Sequence, residues 1–473
     1  MLNNKAVTFL KNFSYTLSSN LISLIISTIV ILIVPKLLGV EDYGYWQLYL
    51  FYSSYVGFLH FGWNDGIYLR YGGKEYNDLN KNLFFSQFWM LVIFQIIISV
   101  FVICLSITFS TDTNRSFILI MTALCLLIVN VRFMLIYILQ GTNRIKEYAQ
   151  ITMMERVLYC LLILLFLLVG VREYKILIVA DLAGKFISLF YSIYSCKDIV
   201  FKKVTTFYFD LKETYENIRV GIKLMFSNIA SMLIIGIVQF GIERTWDVAT
   251  FGKVSLTLVI SNLMMVFISA VGVIMFPVLR RTNQEMLPNI YKTMRTTLMA
   301  PLLGLLMVYF PLKVILSVWL PQYEVSLMYM ALLFPMCVFE GKMSLLINTY
   351  LKTLRKEKWM LTINIVSVLF SLVLTAFFTI VFKNLSFAIV SIVILLAFRC
   401  AIAEVYLSKI LNISVQKDII LELVMTLVFI LTGWFLSPGI GIVSYLFGYL
   451  LYLLIKRKDI NTTFINVKQL ARG

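Results

Sequence analysis

Six cationic side chains lie within or beside long apolar runs of this sequence and could bind an anionic ligand. They are Arg132, Arg399, Arg70, Arg156, Lys185 and Lys342. A charge inside a bilayer costs roughly 3 kcal/mol or more, so such residues usually face a water-filled cavity or pair with another group. A guanidinium binds two phosphate oxygens at once, whereas a lysine ammonium acts as a point charge. We therefore expect a phosphate-binding cavity, with Arg132 and Arg399 as first candidates because apolar sequence flanks both.

Four acids in the same runs could bind a coupling ion, either H+ or Na+. They are Asp181, Glu155, Glu340 and Glu404. Burial disfavours the charged form of a carboxyl group, so a buried acid is able to carry a proton. The simpler alternative is structural, since Asp181 and Lys185 are four residues apart on one helix face and could pair. Arg156 lies near a helix end, where its side chain could extend to the membrane surface. Sequence alone leaves these alternatives open.

The remaining reactive residues show no pattern typical of a metal, redox or cofactor site. The six cysteines are scattered without a CxxC pair, as expected of small apolar packing residues rather than of a disulfide framework. The single histidine, His60, cannot supply a histidine cluster, and its aromatic surroundings favour a packed side chain over a proton switch. We expect no metal, no cofactor and no catalytic residue.

The composition indicates that most of the chain lies in a membrane. Of 473 residues, 60% are hydrophobic and 14% are charged, and the mean hydropathy is +0.90, whereas a soluble domain has about 25% charged residues. A spanning helix needs about 20 mainly apolar residues, and such runs recur from end to end. We predict an all-α polytopic membrane protein with about fourteen transmembrane helices, at residues 13–34, 43–63, 83–108, 116–140, 150–170, 175–196, 219–242, 250–279, 291–312, 325–349, 359–382, 386–408, 419–436 and 438–455.

The distribution of basic residues predicts the orientation of these helices. With the N-terminus in the cytoplasm, the inside segments carry 28 Lys and Arg residues and the outside loops carry seven. This alternation follows the positive-inside rule and places both termini in the cytoplasm. The net charge of +17 is spread over eight segments rather than gathered in one basic domain, so we expect no nucleic-acid partner.

A weak internal repeat predicts how the helices are grouped. An ungapped offset of 208 gives 11 identities over residues 17–53. Six helices separate the two copies, so both start on the same side of the membrane, as in a parallel repeat. We predict two six-helix lobes around a central cavity, at residues 1–205 and 206–412, followed by two additional helices and a cytoplasmic tail at 413–473. The most informative identities are Ser19/Ser227, Asn20/Asn228, Ser23/Ser231 and Gly44/Gly252.

The first 82 residues carry the motifs that are most specific. A Ser/Asn-rich first helix is followed by the turn PKLLGVEDYG and then by FGWNDGIYLRYGGK. This stretch resembles the bacterial polysaccharide repeat-unit flippases (Wzx type), which export O-antigen and capsule units. They belong to the multidrug/oligosaccharidyl-lipid/polysaccharide (MOP) exporter superfamily. Beyond this stretch, the match is one of helix count and two-lobed layout.

The resemblance implies a transporter in the bacterial cytoplasmic membrane rather than an enzyme. It implies that an undecaprenyl-pyrophosphate-linked oligosaccharide is moved from the inner to the outer leaflet by alternating access, for O-antigen, capsule or exopolysaccharide assembly. The lipid bilayer, a polysaccharide polymerase and a chain-length regulator are the partners that such a role implies.

Three other functions compete with this interpretation. A multidrug or cation antiporter of the same superfamily (MATE-like) would be expected to hold an acid near the first helix, but residues 14–34 contain no ionisable side chain except tyrosine. A flippase for the peptidoglycan precursor lipid II would be expected to carry an arginine in helix one, which this sequence lacks. A membrane glycosyltransferase or polymerase would need a large soluble loop, and no predicted outside loop exceeds about 12 residues.

Overall fold

A computed structural model gives the structure of the chain. It describes the backbone of residues 2–109, 112–281 and 284–470, and the side chains of these residues except 2–14, 16–20, 264, 266–281, 284 and 464–470. Every regular element within these ranges is a helix, so the prediction of an all-α chain is confirmed. Helices suit a lipid environment because all their backbone hydrogen bonds are made within one segment.

The chain forms two compact units, an N-terminal unit of Met1–Ile229 and a C-terminal unit of Ala230–Gly473. The boundary between them falls inside one long helix, Leu211–Thr245. It therefore does not decide whether functional lobes divide at residues 205 and 412, and those limits stay a prediction.

The N-terminal unit consists of long apolar helices joined by short turns. Asp112 begins the fifth helix by accepting a hydrogen bond from Asn114 N at 2.8 Å, which satisfies a free amide of the first turn. The helices are α1 (Leu2–Leu37), α2 (Val40–Tyr55), α3 (Trp63–Tyr71), α4 (Lys81–Phe109), α5 (Thr113–Gly141), α6 (Ile145–Leu168), α7 (Tyr174–Ser195), α8 (Lys197–Val200) and the first part of α9 (Leu211–Thr245).

The C-terminal unit contains a stretch of short helical pieces between its long helices. From Tyr309 to Thr353 the chain changes helix type repeatedly and includes a π-helical turn at Met343–Ile347. The helices are α10 (Val248–Arg281), α11 (Leu287–Leu305), α12 (Tyr309–Trp319), α13 (Glu324–Leu327), α14 (Met330–Leu333), α15 (Met336–Lys342), α16 (Asn348–Thr353), α17 (Glu357–Ala376), α18 (Leu385–Leu411), α19 (Gln416–Phe435), α20 (Pro438–Ile455) and α21 (Arg457–Leu470).

The predicted count of fourteen spans is not confirmed. Among the described residues, eleven helices are long and apolar enough to cross a membrane. Two further apolar helices, Leu21–Leu37 and Val248–Leu263, are shorter. The main difference concerns the predicted span at 43–63, because α2 ends at Tyr55 and α3 begins only at Trp63. The closely spaced pair predicted at 419–436 and 438–455 is present as α19 and α20.

The bounds of the helices carry the same repeat as the sequence. Helix α1 ends at Leu37 and α9 ends at Thr245, while α2 begins at Val40 and α10 begins at Val248. Each pair of bounds is 208 residues apart, the offset at which the sequences align. The side chains of Ser19 and Asn20 lie outside the described residues.

A second matching feature is the turn that follows α5 in one unit and α16 in the other. Asn143 and Arg355 both adopt a left-handed conformation, with φ of 61° and 56°. In each turn, the next residue donates its backbone N–H to a carbonyl five residues earlier, at 2.8 Å. The same turn ends α18, where Asn412 has a φ of 51° and Ile413 N donates to Ser408 O at 3.0 Å, so a left-handed residue is a common way of ending helices in this chain.

The break between α2 and α3 is held by polar groups from neighbouring helices. Phe61 and Gly62 have positive φ values of 52° and 84°. A right-handed α-helix has negative φ values throughout, so it cannot pass through these two residues. The carbonyl oxygens of Val56 and Leu59 accept hydrogen bonds from Asn130 Nδ2 at 3.0 Å and from Gln95 Nε2 at 3.1 Å. Apolar surroundings make an unpaired backbone carbonyl costly, so these two amides allow the break to exist.

Helix α3 packs with its backbone directly against α9. A Cβ atom placed on Gly66 would lie 1.8 Å from the carbonyl oxygen of Asn217, and one on Gly221 would lie 2.0 Å from that of Gly62. No side chain fits in either position, because the obstructing atoms belong to the main chain. Glycine is therefore required for this contact.

Replacing Gly66 by alanine is expected to lower the free energy of unfolding by about 1–3 kcal/mol, the usual cost of overpacking. The apparent melting temperature of the purified protein in detergent measures this effect. Gly439→Ala is the matched control, since nothing lies within 4 Å of a Cβ at that position. Equal melting temperatures for the two variants would contradict the close α3–α9 contact.

Candidate functional site

A pocket of about 360 Å³ in the N-terminal unit brings together four of the residues predicted from the sequence. They are Arg132, Glu155, Arg156 and Lys185, carried by α5, α6 and α7. The pocket is therefore charged on several sides while its walls are partly aromatic. Its other lining residues are Ser53, Ser54, Gly57, Val129, Phe133, Ile136, Tyr137, Gln140, Tyr148 and Thr152.

Arg132 is buried in the wall of this pocket and is only partly committed to other groups. Its Nη1 contacts the carboxylate of Glu155 and lies 3.1 Å from Ser188 Oγ. Its Nε has no hydrogen-bond partner among the described residues. Because an unpaired buried guanidinium donor is costly, its neighbours satisfy Arg132 only in part in this arrangement.

Lys185 pairs with Asp181, as the four-residue spacing allows. The Lys185 ammonium contacts Asp181 Oδ2, and the same oxygen accepts a hydrogen bond from Tyr49 OH at 2.7 Å. Asp181 is buried behind the pocket, whereas Lys185 reaches its surface. The pair neutralises a carboxylate that would otherwise be isolated in the core.

Arg156 is the predicted cation with the most donors to spare. Its side chain is exposed, lines the pocket next to Glu155, and makes no hydrogen bond or ion pair with any residue that the structure describes. Counting Arg132, Arg156 and Lys185 against Glu155 and Asp181, the formal charge at the pocket is +1. The site is suited to an anion.

Arg70 is not part of this pocket. It lies at the end of α3, where its Nη2 is 3.1 Å from Glu213 Oε2 on α9. Tyr71 OH donates to the same carboxylate at 2.7 Å. Arg70 therefore links α3 to α9, close to the glycine contact between these helices.

Arg399 lies in the C-terminal unit, where each of its nitrogens has a partner. Nε is 2.9 Å from Asn364 Oδ1, Nη1 is 2.9 Å from Glu340 Oε1, and Nη2 is 3.0 Å from Ser231 Oγ. The guanidinium thus joins α9, α15, α17 and α18 within this unit. Ser231 is one of the residues that the sequence repeat singled out.

Lys342 and Glu404 belong to a buried charge cluster of the C-terminal unit. Lys342 contacts Glu404 and lies 2.6 Å from Glu422 Oε2. Arg295 binds the same two acids, with Nε 2.7 Å from Glu404 and Nη2 2.6 Å from Glu422. Asp418 extends the cluster, 3.1 Å from Arg295 Nη1.

The cluster also has an outer edge and draws on five helices. Asp418 contacts Lys456, which is 2.6 Å from Asp459. Tyr291 OH donates to Glu404 at 2.9 Å. The charges come from α11, α15, α18, α19 and the segment around α21, so the cluster ties the last helices to the rest of the unit. Its innermost side chains are almost completely buried.

Five of the six predicted cations are therefore paired with acids. The sequence predicted a set of cations free to bind a ligand, whereas structural pairing, the alternative left open, describes Arg132, Arg399, Arg70, Lys185 and Lys342. The physical reason is the cost of burying an ion without a partner. Whether any of these residues also contacts a ligand stays a prediction.

Glu404→Gln is expected to destabilise the C-terminal unit strongly, because it leaves Lys342 and Arg295 short of negative charge in a buried position. Breaking such a pair from one side costs about 3–5 kcal/mol. Glu357→Gln, a change at an exposed glutamate of the same unit, is the matched control. Thermal unfolding of the two purified variants checks this, and similar melting temperatures would contradict it.

The fold matches solved structures of membrane transporters. A structure described as the lipid II flippase MurJ, inward closed conformation, aligns with a TM-score of 0.64 and 13% identity, over 95% of this chain and 100% of that one. An inward-facing multidrug resistance MATE family transporter of the MOP superfamily aligns with a TM-score of 0.59 and 11% identity, over 82% and 96%. The chain thus has the fold of these two solved membrane proteins.

The sequence itself identifies the family. The family model for "polysaccharide biosynthesis protein" matches residues 9–283, more than half of the chain, and the protein belongs to that family. No curated protein matches the sequence. The matched segment contains the whole pocket of the N-terminal unit but ends before Arg295, Lys342, Arg399 and Glu404.

Proposed function

We propose that this protein is a flippase for undecaprenyl-pyrophosphate-linked oligosaccharide repeat units in the bacterial cytoplasmic membrane. It moves them from the inner to the outer leaflet, where they serve O-antigen, capsule or exopolysaccharide assembly. The observation that carries the proposal is the net positive pocket of the N-terminal unit, with Arg156 unpaired among the described residues. Family membership supports a role in polysaccharide biosynthesis.

The chemistry of the ligand sets the requirements for such a pocket. A lipid-linked oligosaccharide has an anionic diphosphate, a polar glycan and a long apolar tail, and only the tail is soluble in lipid. The exposed guanidinium of Arg156, which has no hydrogen bond or ion pair among the described residues, supplies donors for the phosphate oxygens. The aromatic rings of Phe133, Tyr137 and Tyr148 line the same pocket and offer flat apolar surfaces to sugar rings.

Binding of the diphosphate changes the partner of Arg132. The ligand competes with Glu155 for the guanidinium, since both are anions and Arg132 is the group between them. Translocation by alternating access exposes the pocket to one side of the membrane at a time, while the lipid tail stays in the bilayer.

The orientation and partners follow from the same proposal. Basic residues concentrate in the segments that the sequence places inside, with both termini in the cytoplasm. A polysaccharide polymerase and a chain-length regulator would receive the unit on the outer face. A cationic drug is a poor ligand for a pocket with excess positive charge, which disfavours a multidrug or cation antiporter.

Arg156→Ala is expected to weaken binding of the lipid-linked oligosaccharide about ten- to hundredfold, since a hydrogen bond to a charged group contributes about 1.5–3 kcal/mol. Arg156→Lys keeps the charge but loses bidentate geometry, so its effect is intermediate. Affinity measured with the purified protein in nanodiscs tests both variants.

The matched control is Arg219→Ala, which removes an exposed arginine of the same unit away from the pocket. It is expected to bind as the unsubstituted protein does. If Arg156→Ala and Arg219→Ala have the same affinity, the pocket is not the site of the phosphate. If lipid II binds as tightly as the oligosaccharide carrier, the peptidoglycan-precursor alternative is favoured instead.

Disruption of the gene is expected to leave sugar-lipid units on the cytoplasmic leaflet, because the cost of moving a polar, charged headgroup into hydrocarbon prevents it from crossing the membrane core unaided. Lectin access to intact cells and to inverted membrane vesicles distinguishes the two leaflets. Normal surface glycan in the disrupted strain, or sensitivity to drugs as its only change, would contradict the proposed function.

A further inference from the structure

The acids buried in the N-terminal unit differ in whether a cation accompanies them. Glu155 contacts Arg132, Asp181 contacts Lys185, and Glu213 contacts Arg70. Asp65, in the first turn of α3, is 7% exposed and has no Lys or Arg within ion-pair distance in the described part of the chain. The acids that sequence analysis selected for ion coupling are the paired ones, whereas Asp65 is the unpaired one.

The nearest titratable group to Asp65 is His60, and its hydrogen bonding shows that it is neutral. His60 Nδ1 accepts a hydrogen bond from Gly62 N at 3.0 Å. An imidazole that accepts at one nitrogen carries its proton on the other. Nε2, 3.6 Å from Asp65 Oδ2, therefore presents an N–H to the carboxylate without bringing a positive charge.

Among the described residues, no Lys, Arg, Asp or Glu side chain makes an ion pair or hydrogen bond with Asp65. Helix α5 presents Tyr137, which interacts electrostatically with Asp65. Helix α9 approaches through the backbone of Asn217, and its nearby carboxylate, Glu213, is held by Arg70. Burial without a compensating charge disfavours an ionised carboxyl group, so Asp65 is the acid of this unit that is best placed to bind a proton.

The site adjoins both the pocket and the break in the second helix. Tyr137 is a lining residue of the pocket as well as a neighbour of Asp65. The Asn64 side chain donates to Asn130 O at 3.0 Å, and the Oδ1 atoms of both asparagines have no hydrogen-bond partner among the described residues. These two buried oxygen atoms are able to accept hydrogen bonds if the chain between α2 and α3 adopts a second conformation.

From this geometry we infer that Asp65 is the proton-binding group of the transporter, with His60 as its positioning residue. A proton from water on one side of the membrane converts the carboxylate to the neutral acid, and release on the other side restores the carboxylate. No bond to the substrate forms, and no electrons are transferred. The inference rests on the proposed function for its role in coupling, but the proton site itself does not.

Coupling requires that the two conformations of a transporter bind the proton with different affinity. The break supplies that difference, because the contact between His60 and Asp65 depends on the left-handed turn at Phe61 and Gly62. The carboxylate favours the arrangement seen here through the His60 N–H and the N-terminus of α3. The protonated, neutral Asp65 side chain interacts more weakly with both groups, so it stabilises this conformation less than the carboxylate does.

The proton site is tested on the full-length protein by infrared spectroscopy across a pH series. A band from a protonated carboxyl group should titrate in the unsubstituted protein, be absent in Asp65→Asn, and remain in Asp78→Asn, which changes an exposed acid of the same unit. Absence of a titrating band, or its persistence in Asp65→Asn, would overturn the inference. The unsubstituted protein gives an answer even if Asp65→Asn does not fold.

Coupling is tested in proteoliposomes that contain a fluorescent undecaprenyl-pyrophosphate oligosaccharide. A pH gradient should accelerate translocation severalfold for the unsubstituted protein, for Asp65→Glu and for Asp78→Asn, and not at all for Asp65→Asn. Equal acceleration in Asp65→Asn, or acceleration by a sodium gradient alone, would refute Asp65 as the coupling group. No translocation by the unsubstituted protein would refute the proposed function, whereas the infrared result would still decide the proton site.

Discussion

The cost of an uncompensated charge in an apolar environment is the constraint on which this structure depends. Removing an ion from water costs several kcal/mol even after the surroundings relax. Arg399 meets this constraint with three polar partners, and Lys342 meets it with two glutamates. The pocket of the N-terminal unit meets it only in part, since Arg132 Nε and the Arg156 guanidinium keep donors unused. Unused donors leave the pocket able to bind a ligand under the proposed function, whereas the paired cations of the C-terminal unit stabilise its fold.

The two units share a backbone design but use charge differently. The bounds of α1 and α2 recur 208 residues later in α9 and α10, whereas the buried cations Arg295, Lys342 and Arg399 of the C-terminal unit all have acid partners. In the C-terminal unit, the charges of the cluster around Arg295 and Lys342 pair with one another and connect five helices. Under the proposed function, the anionic ligand therefore binds in the N-terminal unit, among side chains of α5, α6 and α7.

The helical fold could be predicted because hydropathy gives a direct signal in a membrane protein. Even the short interval at Ser437 and Pro438 was enough to separate α19 from α20. The break between α2 and α3 could not be predicted, because aromatic and apolar residues continue through it. The break depends on the side-chain amides of Gln95 and Asn130, which come from other helices and donate hydrogen bonds to its carbonyl groups.

The site could be predicted in residue type but not in partners. Spacing within one helix revealed Asp181 and Lys185, whereas Arg132 and Glu155 are 23 residues apart and Arg399 and Glu340 are 59 apart. Such pairs depend on which helices pack together, and one sequence does not carry that information. Asp65 is not among the acids predicted for ion coupling, because it lies just beyond the span predicted at 43–63.

The charge cluster around Arg295 and Lys342 makes the C-terminal unit depend on its last helices. Much of its negative charge comes from Glu422 and Asp418 on α19. A chain shortened before α19 would leave both cations to share Glu404, their one other acidic partner among the described residues. Truncation at this end would therefore remove charge compensation from the interior as well as surface from the exterior.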